Sequence, residues 1–153
     1  MLPGTTDTRP AHHSGPGPRL TVPADVAAPS VMRQRVRAWL GELRWPRART
    51  DDLILGLSEA VTNVITHAYP PPRALGRVHL STEHRISGDG TRRVIMVIGD
   101  RGRWQPNAKS VPGARGGGLA RIRTLSESLI IDTAGAGTIL TITSYPLCGV
   151  ASR

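Results

Sequence analysis

The sequence predicts an α+β fold, a two-layer sandwich of one sheet and one layer of helices. Two observations predict it. The strand-like runs come in two pairs, each joined by a short Gly-containing connection of the kind antiparallel hairpins use. The helical runs are grouped between those pairs, in the order β-α-α-β-β-loop-α-β-β. With 153 residues the chain suits one domain, enough to bury roughly 70% of its unfolded surface.

Residues 1–18 are dominated by Pro, Gly, Thr and His and offer no face to bury, so they are expected to form a disordered tail. His12 and His13 are adjacent in that segment and read as incidental rather than as metal ligands. The folded domain is expected over 19–148, with a flexible C-terminus at 149–153. Residues 19–22 form a short strand stopped by Pro23, and Asp25 can cap the helical run after it. From Ser30, the residues Val31, Val36, Trp39, Leu40 and Leu43 recur with helical spacing until Pro46 closes the run. Thr50 and Asp51 supply a cap for a longer helix, 51–68, which the prolines at 70–72 end. Strands at 76–85 and 92–99 flank the turn Ser87-Gly88-Asp89-Gly90. A stretch rich in Gly, Pro and Arg covers 101–118, and a third helix is expected over 119–128. Runs at 129–132 and 138–144 close the chain as a hairpin through Ala134-Gly135-Ala136-Gly137.

Composition removes several classes of function. No run approaches the ~18–20 apolar residues that a membrane span needs. No charged start leads into an apolar stretch as in a secretory signal, so a cytoplasmic protein is expected. Cys148 is the only cysteine, which excludes an internal disulfide and a cysteine metal cage. Lys and Arg total 20 against 11 Asp and Glu, a formal charge of +9, and all but Lys109 of the basic residues are arginine. That surplus suits nucleic acid, an anionic ligand, an acidic protein partner or plain solvation. With 3 Trp, 2 Tyr, no helix-turn-helix and no zinc pattern, direct nucleic-acid binding is not expected.

On the second helix Leu53, Ile54, Leu57, Val61, Val64, Ile65 and Ala68 share one face, and Glu59, Asn63 and His67 stand beside it at i, i+4 and i+8. Such a stripe is often simply the solvated face. It also has a chemical reading: an Asn carbonyl is a hard oxygen ligand suited to Mg²⁺ beside phosphates, and a carboxylate one turn away can act as a base toward a hydroxyl. Asp100 stands where an apolar strand ends, in Gly99-Asp100-Arg101-Gly102. A buried carboxylate needs a donor, which an exocyclic amine of adenine supplies; a turn aspartate bonding its own backbone is the alternative. Gly116-Gly117-Gly118-Leu119 leads into the third helix, either as a phosphate cradle of exposed N–H groups or as a flexible connection. It lacks the Gly-Lys-Ser/Thr ending of a P-loop, so it is not one. Thr138 opens the last strand and carries no signal by itself.

Taken in order, SEAVTNVITHAY (58–69), Asp100-Arg101-Gly102, Gly116-Gly117-Gly118-Leu119 and Gly137-Thr138 resemble the boxes of the GHKL ATP-binding superfamily. The branch they resemble is that of the RsbW/SpoIIAB-type anti-sigma factor serine/threonine kinases, over residues 19–145. The resemblance implies the Bergerat fold: a mixed, mostly antiparallel sheet covered on one face by three helices. It implies ATP and Mg²⁺ as cofactors, Glu59 as general base, Asn63 as magnesium ligand and His67 on the nucleotide side of the helix. It also implies Asp100 and Gly102 at adenine, Gly116, Gly117, Gly118 and Leu119 around the phosphates, and Thr138 at the adenine end. Arg115, beside those glycines, is the one arginine to which a phosphate contact is assigned. The implied substrate is a serine on an anti-anti-sigma (STAS) partner, with a sigma factor as a further partner and a homodimer as the assembly. A binding module gated by nucleotide but without significant kinase activity is the alternative. Two departures stand out: Trp104 replaces a glycine of the superfamily pattern, and the Gly116–118 segment lacks the polar residue often found between its glycines.

Overall fold

The computed structural model describes residues 14–68, 76–100, 117–133 and 137–149. In chain order these form β1 (Gly15–Pro23), α1 (Ala28–Glu42), α2 (Arg47–Asn63), β2 (Arg77–Ile86), β3 (Arg92–Gly99), α3 (Gly117–Leu125), β4 (Ser128–Asp132) and β5 (Ile139–Thr143). A π-helical turn, Val64–Ala68, continues α2. The sheet order is β1-β2-β3-β5-β4. Every pairing among these strands is antiparallel, so the expected mixed sheet is a purely antiparallel one. The last hairpin joins the sheet through β5, which leaves β4 at the edge.

The period-two pattern of β2 decides which face is covered. Val78, Leu80, Thr82 and His84 are buried, and the residues between them are not. Val94, Met96 and Ile98 of β3 and Leu140 and Ile142 of β5 continue that face. Onto it pack Met32, Val36 and Leu40 of α1, Leu53, Leu57, Ala60 and Val61 of α2, and Ile122 of α3, in one continuous core. Truncating a fully buried leucine such as Leu57 to alanine costs about 2–5 kcal/mol. On the uncovered face lie Val97, Thr141, Ile130 and Ile139, the last two exposed.

Several boundaries differ from those the sequence predicts. β1 begins at Gly15 rather than at residue 19, inside the segment read as tail; residues 1–13 lie outside the described part. At Gly17 a Cβ would collide with the Trp39 ring and the Thr82 hydroxyl, so the Gly-Pro run is a strand seated on an indole. The Thr82 hydroxyl donates to Pro18 O at 3.0 Å, and the ladder is irregular between Pro16 and Arg19. α1 ends before Pro46: Leu43 is its C-cap, and Arg44, at φ 52°, turns the chain away. Pro46 instead caps α2, which starts at Arg47, and neither Thr50 nor Asp51 is its cap. Asp25 does bind ahead of α1, accepting the N–H of Ala27 at 2.9 Å. Val31 is exposed and Met32 takes the core position expected of it.

A buried cluster fixes the α1–α2 corner to the sheet. Arg92 donates through Nε to His84 Nε2 at 3.1 Å and through NH2 to Leu43 O at 2.6 Å, while its guanidinium lies 5.2 Å from the centre of the Trp45 ring. Burial pulls the Arg92 guanidinium below its ordinary pKa.

Candidate active site

Glu59 and Asn63 occupy the last turn of α2, one turn apart, on the flank that faces α3. Apolar contacts set this orientation: Leu57, Ala60, Val61 and Val64 are buried, so the neighbouring stripe emerges at the rim of the core. Beyond Asn63 the helix widens into the π turn. The backbone of His67 lies within this π turn, where bonding runs i→i+5 rather than i→i+4. Insertions of this kind recur at functional sites.

The start of α3 closes against that pair. A Cβ added to Gly118 would stand 3.0 Å from Glu59 Oε2 and 3.2 and 3.3 Å from the Asn63 amide nitrogen and oxygen. A side chain at residue 118 would require Glu59 and Asn63 to give by a few tenths of an ångström. Gly117 has open space around its Cβ position. Leu119 is half-buried and packs on the core, anchoring the turn, so what it can offer a ligand is backbone. Arg121, three residues after Gly118 on the same helical face, donates from NH1 to Glu59 Oε1 at 2.5 Å. Sequence reasoning assigns Arg121 no role; its i, i+3 relation to Gly118 is the one signal that could have found it.

At the other end β3 delivers Asp100 to the border of the sheet. Asp100 is buried, and its N–H donates to Thr138 O at 3.0 Å; Thr138 is buried beside it. Asn63, Val64, Asp100, Thr138 and Leu140 enclose a cavity of only about 10 Å³ among the described residues, space for no more than one water. A flat ring enters there only if the walls part. A larger recess of about 490 Å³ lies on the uncovered sheet face, where Arg19, Thr21, His79, Ser81 and Val97 line it. It reaches Asp100 but is walled by none of Glu59, Asn63 and Gly118, so its size does not locate the chemistry. Gly102, Arg115 and Gly116 lie outside the described residues, as does the side chain of His67. Glu59, Asn63, Gly117, Gly118, Asp100 and Thr138 are thus gathered from α2, α3, β3 and the approach to β5 along one border of the sandwich.

A helix bearing a carboxylate and a carboxamide, faced by a glycine-led helix and laid on an antiparallel sheet, defines a nucleotide-binding sandwich of the Bergerat type. Residues 22–144 match the histidine kinase-like ATPase domain, and the chain belongs to that family, the GHKL ATPases. Among solved structures it is similar to the RsbU and RsbW domains of Rv1364c from Mycobacterium tuberculosis, with 24% identity and a TM-score of 0.58. That alignment covers 88% of this chain and 35% of that one, so this chain spans about a third of its length. It is also similar to the histidine kinase domain of the Erythrobacter litoralis EL346 blue-light activated histidine kinase, at 22% identity and TM-score 0.48, over 80% of this chain and 61% of that chain. A further structure of the blue-light activated kinase aligns at 28% identity and TM-score 0.47, over 65% of this chain and 31% of the other. ATP binding and a kinase-like ATPase character are properties of the family. No helix among the described residues is long and apolar enough to cross a membrane.

Proposed function

We propose that this protein is an ATP-dependent serine/threonine kinase of the anti-sigma type, which phosphorylates a serine on an anti-anti-sigma (STAS) partner in the cytoplasm. The convergence of Glu59 Oε2 and the Asn63 amide on the Gly118 Cα carries the reading. A base and a hard oxygen donor there meet a helix end whose N–H groups and dipole favour phosphate.

The residues fit the nucleotide and its metal by their chemistry. The missing Cβ of Gly118 makes a cradle against Glu59 and Asn63. Asp100, buried beside Thr138, is an acceptor for an exocyclic amine, with Gly102 giving the ring room. No three His, Cys, Asp or Glu among the described residues could hold a metal, so Mg²⁺ would be held by Asn63 together with phosphate oxygens and water. When bound, it would supply positive charge against the transferring phosphoryl group. Asn63 would orient that complex, and backbone N–H groups of Gly116, Gly117, Gly118 and Leu119 would bind its oxygens, with His67 on the same side. Glu59 would accept the proton of the partner hydroxyl as its oxygen attacks.

A nucleotide-gated anti-sigma module without significant kinase activity is the second reading, and it uses the same nucleotide site. Both readings include a sigma factor as cargo and a homodimer, for which Ile130 and Ile139 on the uncovered sheet face are support. Incubation with labelled ATP, Mg²⁺ and a cognate STAS protein separates them. The expected outcome is transfer to a partner serine that Glu59→Ala lowers at least about 100-fold while ATP still binds. Wild-type protein that binds ATP yet transfers nothing would select the gated module.

A further inference from the structure

We infer that Arg121 is a positioning residue for Glu59: it ties the candidate base to α3, so the carboxylate is aimed only while the N-terminal turn of α3 is seated on α2. The inference rests on the proposed kinase reading for its consequence, but the coupling itself is a property of the two helices.

The two oxygens of Glu59 have different neighbours. Oε1 accepts from Arg121 NH1 at 2.5 Å, and Oε2 faces Gly118 beside the Asn63 amide. One oxygen is held and the other is turned toward the cradle. The holder and the cradle belong to the same helix, three residues apart, so one rigid element controls both. Arg121 is 56% exposed and Glu59 22%, and an ion pair with so much water about it contributes little to stability. What this single charge-assisted hydrogen bond does supply is direction, since holding Oε1 restricts the carboxylate rotamer. A glutamate at the end of a helix has three side-chain torsions to fix before it can take a proton along one line, and misalignment of a general base loses rate steeply. The first turn of α3, at Gly117 and Gly118, is where a bound nucleotide would act, so seating of this helix and aim of the base become one event.

The test compares wild type with Arg121→Ala, Arg121→Lys, Glu59→Gln and the Arg121→Ala/Glu59→Gln double variant. Two readouts need no turnover: the carboxyl ¹³C resonance of Glu59, and hydrogen exchange of the α3 amides. Steady-state transfer with ATP and a STAS protein supplies the third. Arg121→Ala is expected to shift the Glu59 resonance and speed α3 exchange several-fold, and Arg121→Lys to restore most of both. It should lower kcat about tenfold, with KM for ATP within about twofold, and it should have no further effect once Glu59 is Gln. A Glu59 resonance that does not move overturns the inference whatever the activity. So does an unchanged kcat in an active enzyme, or an equal loss in the Glu59→Gln background. Wild type that transfers nothing, but whose Glu59 resonance moves in Arg121→Ala and returns in Arg121→Lys, overturns the kinase reading and keeps the coupling.

Discussion

Gly118 shows how one missing side chain decides what a site can hold. A methyl there would lie 3.0 Å from Glu59 Oε2 and 3.2 Å from the Asn63 amide nitrogen, tighter than most such contacts, so the Glu59 and Asn63 side chains would have to give by a few tenths of an ångström. Gly118→Ala is therefore expected to weaken ATP binding about tenfold or more by calorimetry, with the far-ultraviolet spectrum unchanged; wild-type affinity would show that the close approach has no bearing on the ligand. Asp100 acts by polarity instead. In the proposed role its buried carboxylate would accept from the exocyclic amine of adenine and repel the carbonyl that guanine presents at that position. Asp100→Ala should erase the preference for ATP over GTP in direct binding measurements, losing roughly 1–3 kcal/mol of discrimination. Retained preference would move the base-reading role elsewhere.

At the scale of elements, the sequence and the structure part company where packing outweighs local signals. The Gly-Pro run before residue 19 looks like a tail because neither residue favours a strand, yet it becomes β1 because a smooth backbone fits over Trp39. Gly17→Ala should destabilise the fold by about 1–3 kcal/mol in denaturant titration, an overpacking cost, whereas an unchanged midpoint would detach this stretch from the core. The start of α2 misleads for a related reason: Thr50 looks like a cap but is buried, and Pro46 opens the helix. The hairpin at 87–90 is legible because its chemistry is local: Gly90 has φ 81°, and its N–H donates to Ser87 O at 2.9 Å. In the site, Glu59 with Asn63 and Asp100 with Thr138 are legible from resemblance and spacing, whereas Arg121 is not, because only the docking of α3 brings it to Glu59. From β3, Arg93 holds Glu127, in the turn between α3 and β4, by two hydrogen bonds of 2.7 and 3.0 Å, and that pairing keeps the Glu127 carboxyl below its ordinary pKa of 4.5. A depressed folded-state pKa contributes stability above the unfolded value that is lost as pH falls through the folded one. The acid-side decline in thermal stability below about pH 4.5 should thus be shallower in Glu127→Gln, by a small amount because the pair is wet. Superimposable acid limbs for the two proteins would deny the pair any part in it.

For the whole molecule the proposed nucleotide would be held by residues from several elements at once. The sheet, α1, α2 and Ile122 of α3 share one continuous core, and α3 also meets the α2 rim through Gly118 and Arg121. The cavity between Asn63, Asp100 and Thr138 has room for one water, so admitting a purine would require its walls to part. Binding of the proposed nucleotide would then stabilise the folded state by mass action. At a nucleotide concentration ~100 times Kd the gain is about 2.7 kcal/mol, and for a chain of this length each kcal/mol is worth roughly 2–4 °C. Mg²⁺–ATP should accordingly raise the unfolding midpoint by about 5–10 °C, GTP by much less, and α3 amides should gain more protection from exchange than those of β2 and β3. A folded protein whose midpoint and α3 exchange ignore Mg²⁺–ATP would remove both the kinase and the gated module at once, since each needs that nucleotide to set the position of the same helix.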